Sequence, residues 1–145
     1  MKHKITFALL MGIITTGIIS FTLISVNIGY TPQFLKIWLK SWGIAYLIVI
    51  PALLIIAPRI QKKIETFQKE TTVIRKKILF ALIMGVVTTG IISFSLISIN
   101  IGFKDIFLKI WIKSWMIAYL VVIPVILILA PRLEKVVVKL LHVKD

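Results

Sequence analysis

The sequence predicts an all-α integral membrane protein with four transmembrane helices, arranged as two tandem, parallel-oriented two-helix hairpins. Two observations predict this fold. The 145-residue chain is 59% hydrophobic, its mean hydropathy is +1.05, and its apolar residues lie in long uninterrupted runs. The first half of the chain also recurs in the second half, so that two such runs belong to each copy. Contiguous runs of this length are typical of membrane spans rather than of a soluble core.

The internal repeat divides the chain into segments. Residues 2–64 align with residues 75–137 without a gap, and roughly two thirds of the aligned positions are identical. We therefore predict a first two-helix membrane repeat at 1–64 and a second at 75–137. A basic cytoplasmic linker, 65–74, joins them, and a cytoplasmic tail, 138–145, follows.

Each repeat contains two apolar runs, at 5–26 and 34–57 in the first copy and at 78–99 and 107–130 in the second. Each run has about 22 to 24 residues, which as a helix crosses about 30 Å of hydrocarbon. The first run follows two lysines and resembles a signal peptide. Its recurrence in mid-chain argues against cleavage.

Small residues occupy every fourth position of the first run in each repeat. They are Ala8, Gly12, Thr16, Ser20, Ala81, Gly85, Thr89 and Ser93. Such a stripe lets two helix backbones approach closely in a membrane, so we predict that it packs against another helix. The alternative is a polar solute path lined by Thr15, Thr16, Ser20, Asn27 and their copies.

The turn between the two runs carries helix-end signals. Asn27 and Gly29 tolerate the left-handed conformation that closes a helix. Thr31 followed by Pro32 predicts the start of the second helix, and in the second copy Asp105 is the predicted cap.

The segment 34–42 mixes lysines with tryptophans and recurs almost letter for letter at 107–115. At 100° per residue, Lys36 and Lys40 share one helix face, and Trp38 and Trp42 lie on nearly the opposite face. The mixture predicts a membrane–water interface. A sharper hypothesis assigns contacts to an anionic lipid headgroup or a solute anion to four lysines, Lys36, Lys40, Lys109 and Lys113.

Pro58 predicts the end of the second span. Beyond it, Ile60, Ile64 and Phe67 fall on one side of a basic segment, which predicts a separate short amphipathic helix on the membrane surface.

The basic residues predict the orientation. Thirteen of the 18 lysines and arginines lie before the first apolar run, between the second and third runs, or after the fourth run. The positive-inside rule therefore places both termini and the linker in the cytoplasm. The net charge of +13 is explained by this flanking pattern, so no nucleic-acid partner is expected. The expected partners are the lipid bilayer and, by self-association or otherwise, other membrane proteins.

The sequence does not point to a catalytic, cofactor-binding or metal-binding site. No acidic residue lies within a predicted span, and the two histidines, His3 and His142, are near the termini. No set of side chains has metal-ligand or nucleophile–base spacing, and the chain has no cysteine. We therefore expect no enzyme and no cofactor.

Several landmarks together resemble a bacterial membrane family. They are the run Phe7–Gly12, Asn27-Ile28-Gly29, the segment 34–45, Pro51, and Ala57-Pro58-Arg59. This combination is similar to the family catalogued as domain of unknown function 2798, whose members look like short two-helix membrane proteins. The resemblance implies a helical fold and a bacterial membrane location, and it implies no activity. We expect this membrane to be the inner (cytoplasmic) membrane.

Three hypotheses for function follow. The first is a structural or partner-binding membrane protein, which would use the small-residue stripes. The second is a small-solute channel or carrier with a polar path. The third is a sensor of anionic lipids or anions that would use the lysines beside the tryptophans.

Overall fold

A computed structural model describes residues 2–141 and contains four α-helices. They are α1 (Lys2–Asn27), α2 (Phe34–Phe67), α3 (Val73–Asn100) and α4 (Phe107–Leu140). Each is long and apolar enough to cross a membrane, and the described residues form no strand. The predicted all-α fold with four spans is confirmed. His142 and the last residues of the predicted tail lie outside the described part of the chain.

The ends of α1 and α3 follow the Asn-Ile-Gly pattern. Both helices end at the asparagine, and the following Gly29 and Gly102 have φ angles of +83° and +81°. The N–H of Gly29 donates to the carbonyl oxygen of Ile24 at 3.0 Å, which closes the last turn of α1. The positive φ favours glycine at both positions. Steric crowding is not the reason, since an added Cβ atom would meet no neighbour within 4 Å.

The predicted starts of α2 and α4 are wrong by one to two residues. The residues at the N-caps are Gln33 and Ile106, and neither makes a side-chain capping bond. In the first repeat the backbone supplies the bond, since the N–H of Phe34 donates to the carbonyl oxygen of Thr31 at 2.9 Å. A turn that bonds through its own backbone needs no threonine or aspartate cap.

The prediction of a separate surface helix after Pro58 is also wrong. Helix α2 continues without interruption through Pro51 and Pro58 to Phe67, and α4 continues in the same way to Leu140. A proline removes only one backbone hydrogen bond. Beyond it Ile64 and the equivalent Val137 are buried in the bundle, so tertiary packing holds the helix together.

The four helices form a bundle with two kinds of position. The central helices, α1 and α3, contact each other, and each also packs against both α2 and α4. The peripheral helices, α2 and α4, do not contact each other within the described residues. Accordingly, 44% and 50% of the spans of α1 and α3 are buried, against 11% for α2 and for α4.

The core lies between the two repeats and is apolar. Each repeat contributes four side chains at equivalent positions, and all eight are at most 1% exposed. They are Ile19, Leu23, Ala45 and Val49 from the first repeat and Ile92, Leu96, Ala118 and Val122 from the second. The repeats therefore meet as the two halves of a symmetric dimer do, each presenting the same surface to the other.

Candidate functional site

Within the first repeat, two tryptophans of α2 clamp α1. The rings of Trp38 and Trp42 stack with centroids 5.5 Å apart and an interplanar angle of 7°. The indole N–H of Trp38 donates to Ser20 Oγ at 3.1 Å. The indole N–H of Trp42 donates to Thr16 Oγ1 and to the carbonyl oxygen of Ile13, both at 3.1 Å. The tryptophans thus combine ring packing with a polar contact to the neighbouring helix.

The second repeat forms an equivalent clamp. Trp111 and Trp115 stack with centroids 5.4 Å apart. The indole N–H of Trp115 donates to Thr89 Oγ1 and to the carbonyl oxygen of Val86, both at 3.1 Å. Sequence reasoning assigned the tryptophans to the interface and missed these acceptors. The sequence does contain a pattern that could have predicted this pairing. Hydroxyl residues recur four positions apart on α1 and α3, and tryptophans recur with the same spacing on α2 and α4.

Glycines allow this close approach. A Cβ atom added to Gly12 would lie 2.6 Å from Cδ1 of Ile50 and 3.3 Å from the ring of Tyr46. One added to Gly17 would lie 3.2 Å from the ring of Trp42. The ring of Trp42 is rigid and hydrogen-bonded, so it has little freedom to move away.

The predicted small-residue stripe lies largely inside the bundle. Gly12, Thr16 and Ser20 are buried, whereas Ala8, nearer the end of α1, is half-buried. All four of the equivalent residues of α3 are buried: Ala81, Gly85, Thr89 and Ser93. The contacts of Gly12, Thr16 and Ser20 are with α2 of the same repeat, so this part of the stripe faces the clamp.

Two reciprocal hydrogen bonds join the repeats. Asn27 Nδ2 donates to Ser114 Oγ at 2.9 Å, and Asn100 Nδ2 donates to Ser41 Oγ at the same distance. Both serines are at most 1% exposed. The sequence identified Asn27 as a helix terminator but could not show its partner, which is 87 positions away.

We expect Asn27→Ala to lower the free energy of unfolding by about 0.6–1.7 kcal/mol, which runs from the average to the largest value measured for hydrogen bonds between membrane helices. Reversible unfolding in mixed micelles, followed by circular dichroism, measures it. A double-mutant cycle with Ser114→Ala isolates the bond, because the second substitution adds little once the first has removed it. The same cycle applied to Asn27 and Ser41, which are not bonded, should be additive. Additivity in both cycles would contradict the assignment.

The hydroxyls proposed for a polar path are bonded within their own helices. Thr15 Oγ1 donates to the carbonyl oxygen of Met11 at 2.7 Å, and Ser20 Oγ donates to that of Gly17 at 3.1 Å. Thr16 bonds in the same way to Gly12. Back-bonding of this kind satisfies a hydroxyl in an apolar helix without a ligand.

The four lysines of the interface hypothesis are exposed and lie in two pairs. Lys36 and Lys40 belong to α2, and Lys109 and Lys113 belong to α4, which does not contact α2. The structure therefore does not bring the four into one cluster. Contact of either pair with a headgroup or an anion stays a prediction.

A comparison with models of known protein families shows the family of this chain. A family model described as "Domain of unknown function (DUF2798)" matches the chain twice, at residues 1–68 and 74–141. The chain belongs to the DUF2798 family. The two matches are consistent with a tandem duplication of the DUF2798 domain, each copy contributing one central and one peripheral helix. No curated protein and no solved structure matches the chain.

The described residues contain no group of three histidine, cysteine, aspartate or glutamate side chains placed to hold a metal ion. Three interhelical features join the helices of this chain: the tryptophan clamps, the asparagine–serine bonds and the apolar core. All three hold helices together.

Proposed function

We propose that this DUF2798 protein is a multi-pass protein of the bacterial inner membrane with a structural or partner-binding role. Its termini and the connection between α2 and α3 face the cytoplasm in this proposal, which rests on the excess of lysine and arginine at that end. The family and the four apolar helices support a membrane location.

One observation carries the role: the buried core between the two repeats consists of apolar side chains. A conduit for polar solutes needs donors and acceptors along its wall, because an unsatisfied polar group in hydrocarbon costs several kcal/mol. Here the wall of the core is formed by isoleucine, leucine, valine and alanine. The arrangement therefore favours a rigid helical scaffold over a channel.

The surfaces left for partners are the lipid-facing sides of the peripheral helices. Leu47 of α2 is 72% exposed and Leu120, its counterpart in α4, is 70% exposed. Because these faces take little part in the bundle, they can bind lipid or another membrane helix without disturbing the core.

Site-specific photocrosslinking in intact cells tests this proposal. A photoreactive residue at Leu47 or Leu120 is expected to give a discrete adduct of higher mass. The same residue at Leu23, which is 1% exposed, is the matched control and should react only within the chain.

Solute flux separates the scaffold from the channel. Vesicles containing the purified protein should release small ions and sugars no faster than protein-free vesicles. Release that is faster, and that changes when Thr16 and Thr89 are both replaced by valine, would overturn the scaffold and establish a solute path.

A further inference from the structure

A cleft lies where the beginning of α3 meets the end of α4. We call it the terminal cleft. Its volume is about 420 Å³, within the usual range for a small-molecule site. It is lined by Lys77 of α3 and by Pro131, Glu134, Lys135, Val138 and Lys139 of α4. Sequence reasoning treated these residues only as flanking charges and as part of a surface helix.

The terminal cleft lies at the depth of the lipid headgroups. Between Lys113 and Arg132 the chain has about 18 uncharged residues, which as a helix span about 27 Å. This length matches the hydrocarbon thickness of about 30 Å. Helix α4 nevertheless continues to Leu140, so its last turns rise beside the headgroups and form one wall of the cleft.

The terminal cleft combines positive charge with an apolar floor. Lys77 and Lys135 line the cleft together with Glu134, whose Oε2 lies 3.6 Å from Lys77 Nζ. The side chains of Lys77 and Glu134 are 67% and 46% exposed, so solvent screens the pair, and the second lysine leaves the cleft with a net positive charge. Pro131 and Val138 supply apolar surface between the lysines.

The equivalent positions of the first repeat carry different side chains. A shift of 73 positions places Lys4, Gln61, Lys62, Glu65 and Thr66 where the second repeat has Lys77, Glu134, Lys135, Val138 and Lys139. The first repeat thus has a glutamate in place of the apolar valine and a threonine in place of the last lysine. The two copies differ here although roughly two thirds of their aligned positions are identical. The first repeat has a basic groove of its own, with a volume of about 340 Å³, but its lining comes from α2 alone: Arg59, Lys62, Lys63, Thr66 and Phe67. A basic cleft formed between two helices is the feature of the second repeat.

We propose that the terminal cleft binds the headgroup of an anionic glycerophospholipid from the leaflet that this end of the bundle reaches. Lys77 and Lys135 attract the phosphate, and the glycerol backbone lies on Pro131 and Val138. Glu134 weakens the binding, because its carboxylate is close to Lys77 and repels the phosphate. This binding site is independent of the structural role and lies at the opposite end of the bundle from the lysines of the interface hypothesis.

Native mass spectrometry of the full chain in detergent tests the site with two lipids of identical acyl chains, phosphatidylglycerol and phosphatidylcholine. The Lys77→Gln, Lys135→Gln double variant is expected to retain about thirtyfold less phosphatidylglycerol, since each lysine near a membrane surface contributes a factor of about five to the affinity. Its matched control, Lys4→Gln with Lys62→Gln, makes the same charge change at the equivalent positions. Neither lysine of the control lines the terminal cleft, so the control is expected to change retention by less than about twofold.

Glu134→Gln gives an effect of the opposite sign. Glutamine is the residue of the first repeat at this position, so the substitution is compatible with the helix. Retention of phosphatidylglycerol is expected to rise about fivefold as the repulsive charge is lost. A loss of retention in this variant would overturn the assignment.

Other outcomes exclude the remaining explanations. Equal losses of phosphatidylglycerol in the double variant and its matched control would mean that any basic surface of the protein binds this lipid. Equal retention of phosphatidylcholine would mean that the headgroup charge is not recognised. Displacement of the lipid by inorganic phosphate at millimolar concentration would identify a free anion as the ligand. Replacing Lys36, Lys40, Lys109 and Lys113 with glutamine should leave retention unchanged, and a tenfold loss there would move the site to the other membrane surface. Unchanged helical circular dichroism confirms that each variant is folded.

Discussion

Replacing Trp42 by alanine is expected to lower the free energy of unfolding by about 3 kcal/mol, the lower end of the range for removing a buried aromatic ring. The lower end applies because the ring is half-buried. The loss has two parts. The ring no longer stacks on Trp38, and Thr16 and Ile13 lose the indole N–H that joins α2 to α1. Reversible unfolding in mixed micelles measures the difference.

Two further variants separate these parts. Trp42→Phe keeps a ring but removes the N–H, so it should cost about 1 kcal/mol. Leu47→Ala removes a large side chain from the exposed face of the same helix and should change stability by less than about 0.5 kcal/mol. Equal losses for Trp42→Ala and Leu47→Ala would show that the tryptophan contributes only to the lipid-facing surface.

Gly17→Leu is expected to destabilise the bundle by about 1–3 kcal/mol through overpacking. A Cβ atom at this position already lies 3.2 Å from the ring of Trp42, and a leucine side chain extends further into it. The helices must separate or the ring must leave its acceptors. Unfolding in mixed micelles measures the loss, and near-ultraviolet circular dichroism reports the displaced indole.

Gly43→Met is the matched control for this substitution. Nothing lies within 4 Å of a Cβ atom added at Gly43, and the second repeat has Met116 at the equivalent position. Stability should therefore change by less than about 0.5 kcal/mol. A large loss for Gly43→Met, or none for Gly17→Leu, would contradict the close approach of α1 and α2.

Local patterns predicted the helices but not all of their ends. Gly29 supplied a conformational signal that acts within its own turn, and the end of α1 follows it. Pro58 gave an equally strong local signal that failed, because burial of Ile64 in the bundle outweighs one missing backbone bond. Helix ends were thus predictable where the cause is local and not where packing decides.

The candidate site was predicted only in part. Spacing placed Trp38 and Trp42 on one face of α2, opposite Lys36 and Lys40, and the structure has the tryptophans against α1 and the lysines exposed. The spacing did not identify what the tryptophans contact. An aromatic belt that faces lipid headgroups and a clamp on a neighbouring helix have the same periodicity, so the pattern does not distinguish them.

By itself the sequence determined the tandem repeat, the four apolar spans and the concentration of positive charge at one end, because each depends on composition and spacing within one segment. Only the tertiary structure decided which helices are central, that Asn27 bonds Ser114 and Asn100 bonds Ser41, and that Lys77 meets the end of α4. These features join residues far apart in the chain. Their existence depends on distances across the bundle, and a one-dimensional pattern does not contain those distances.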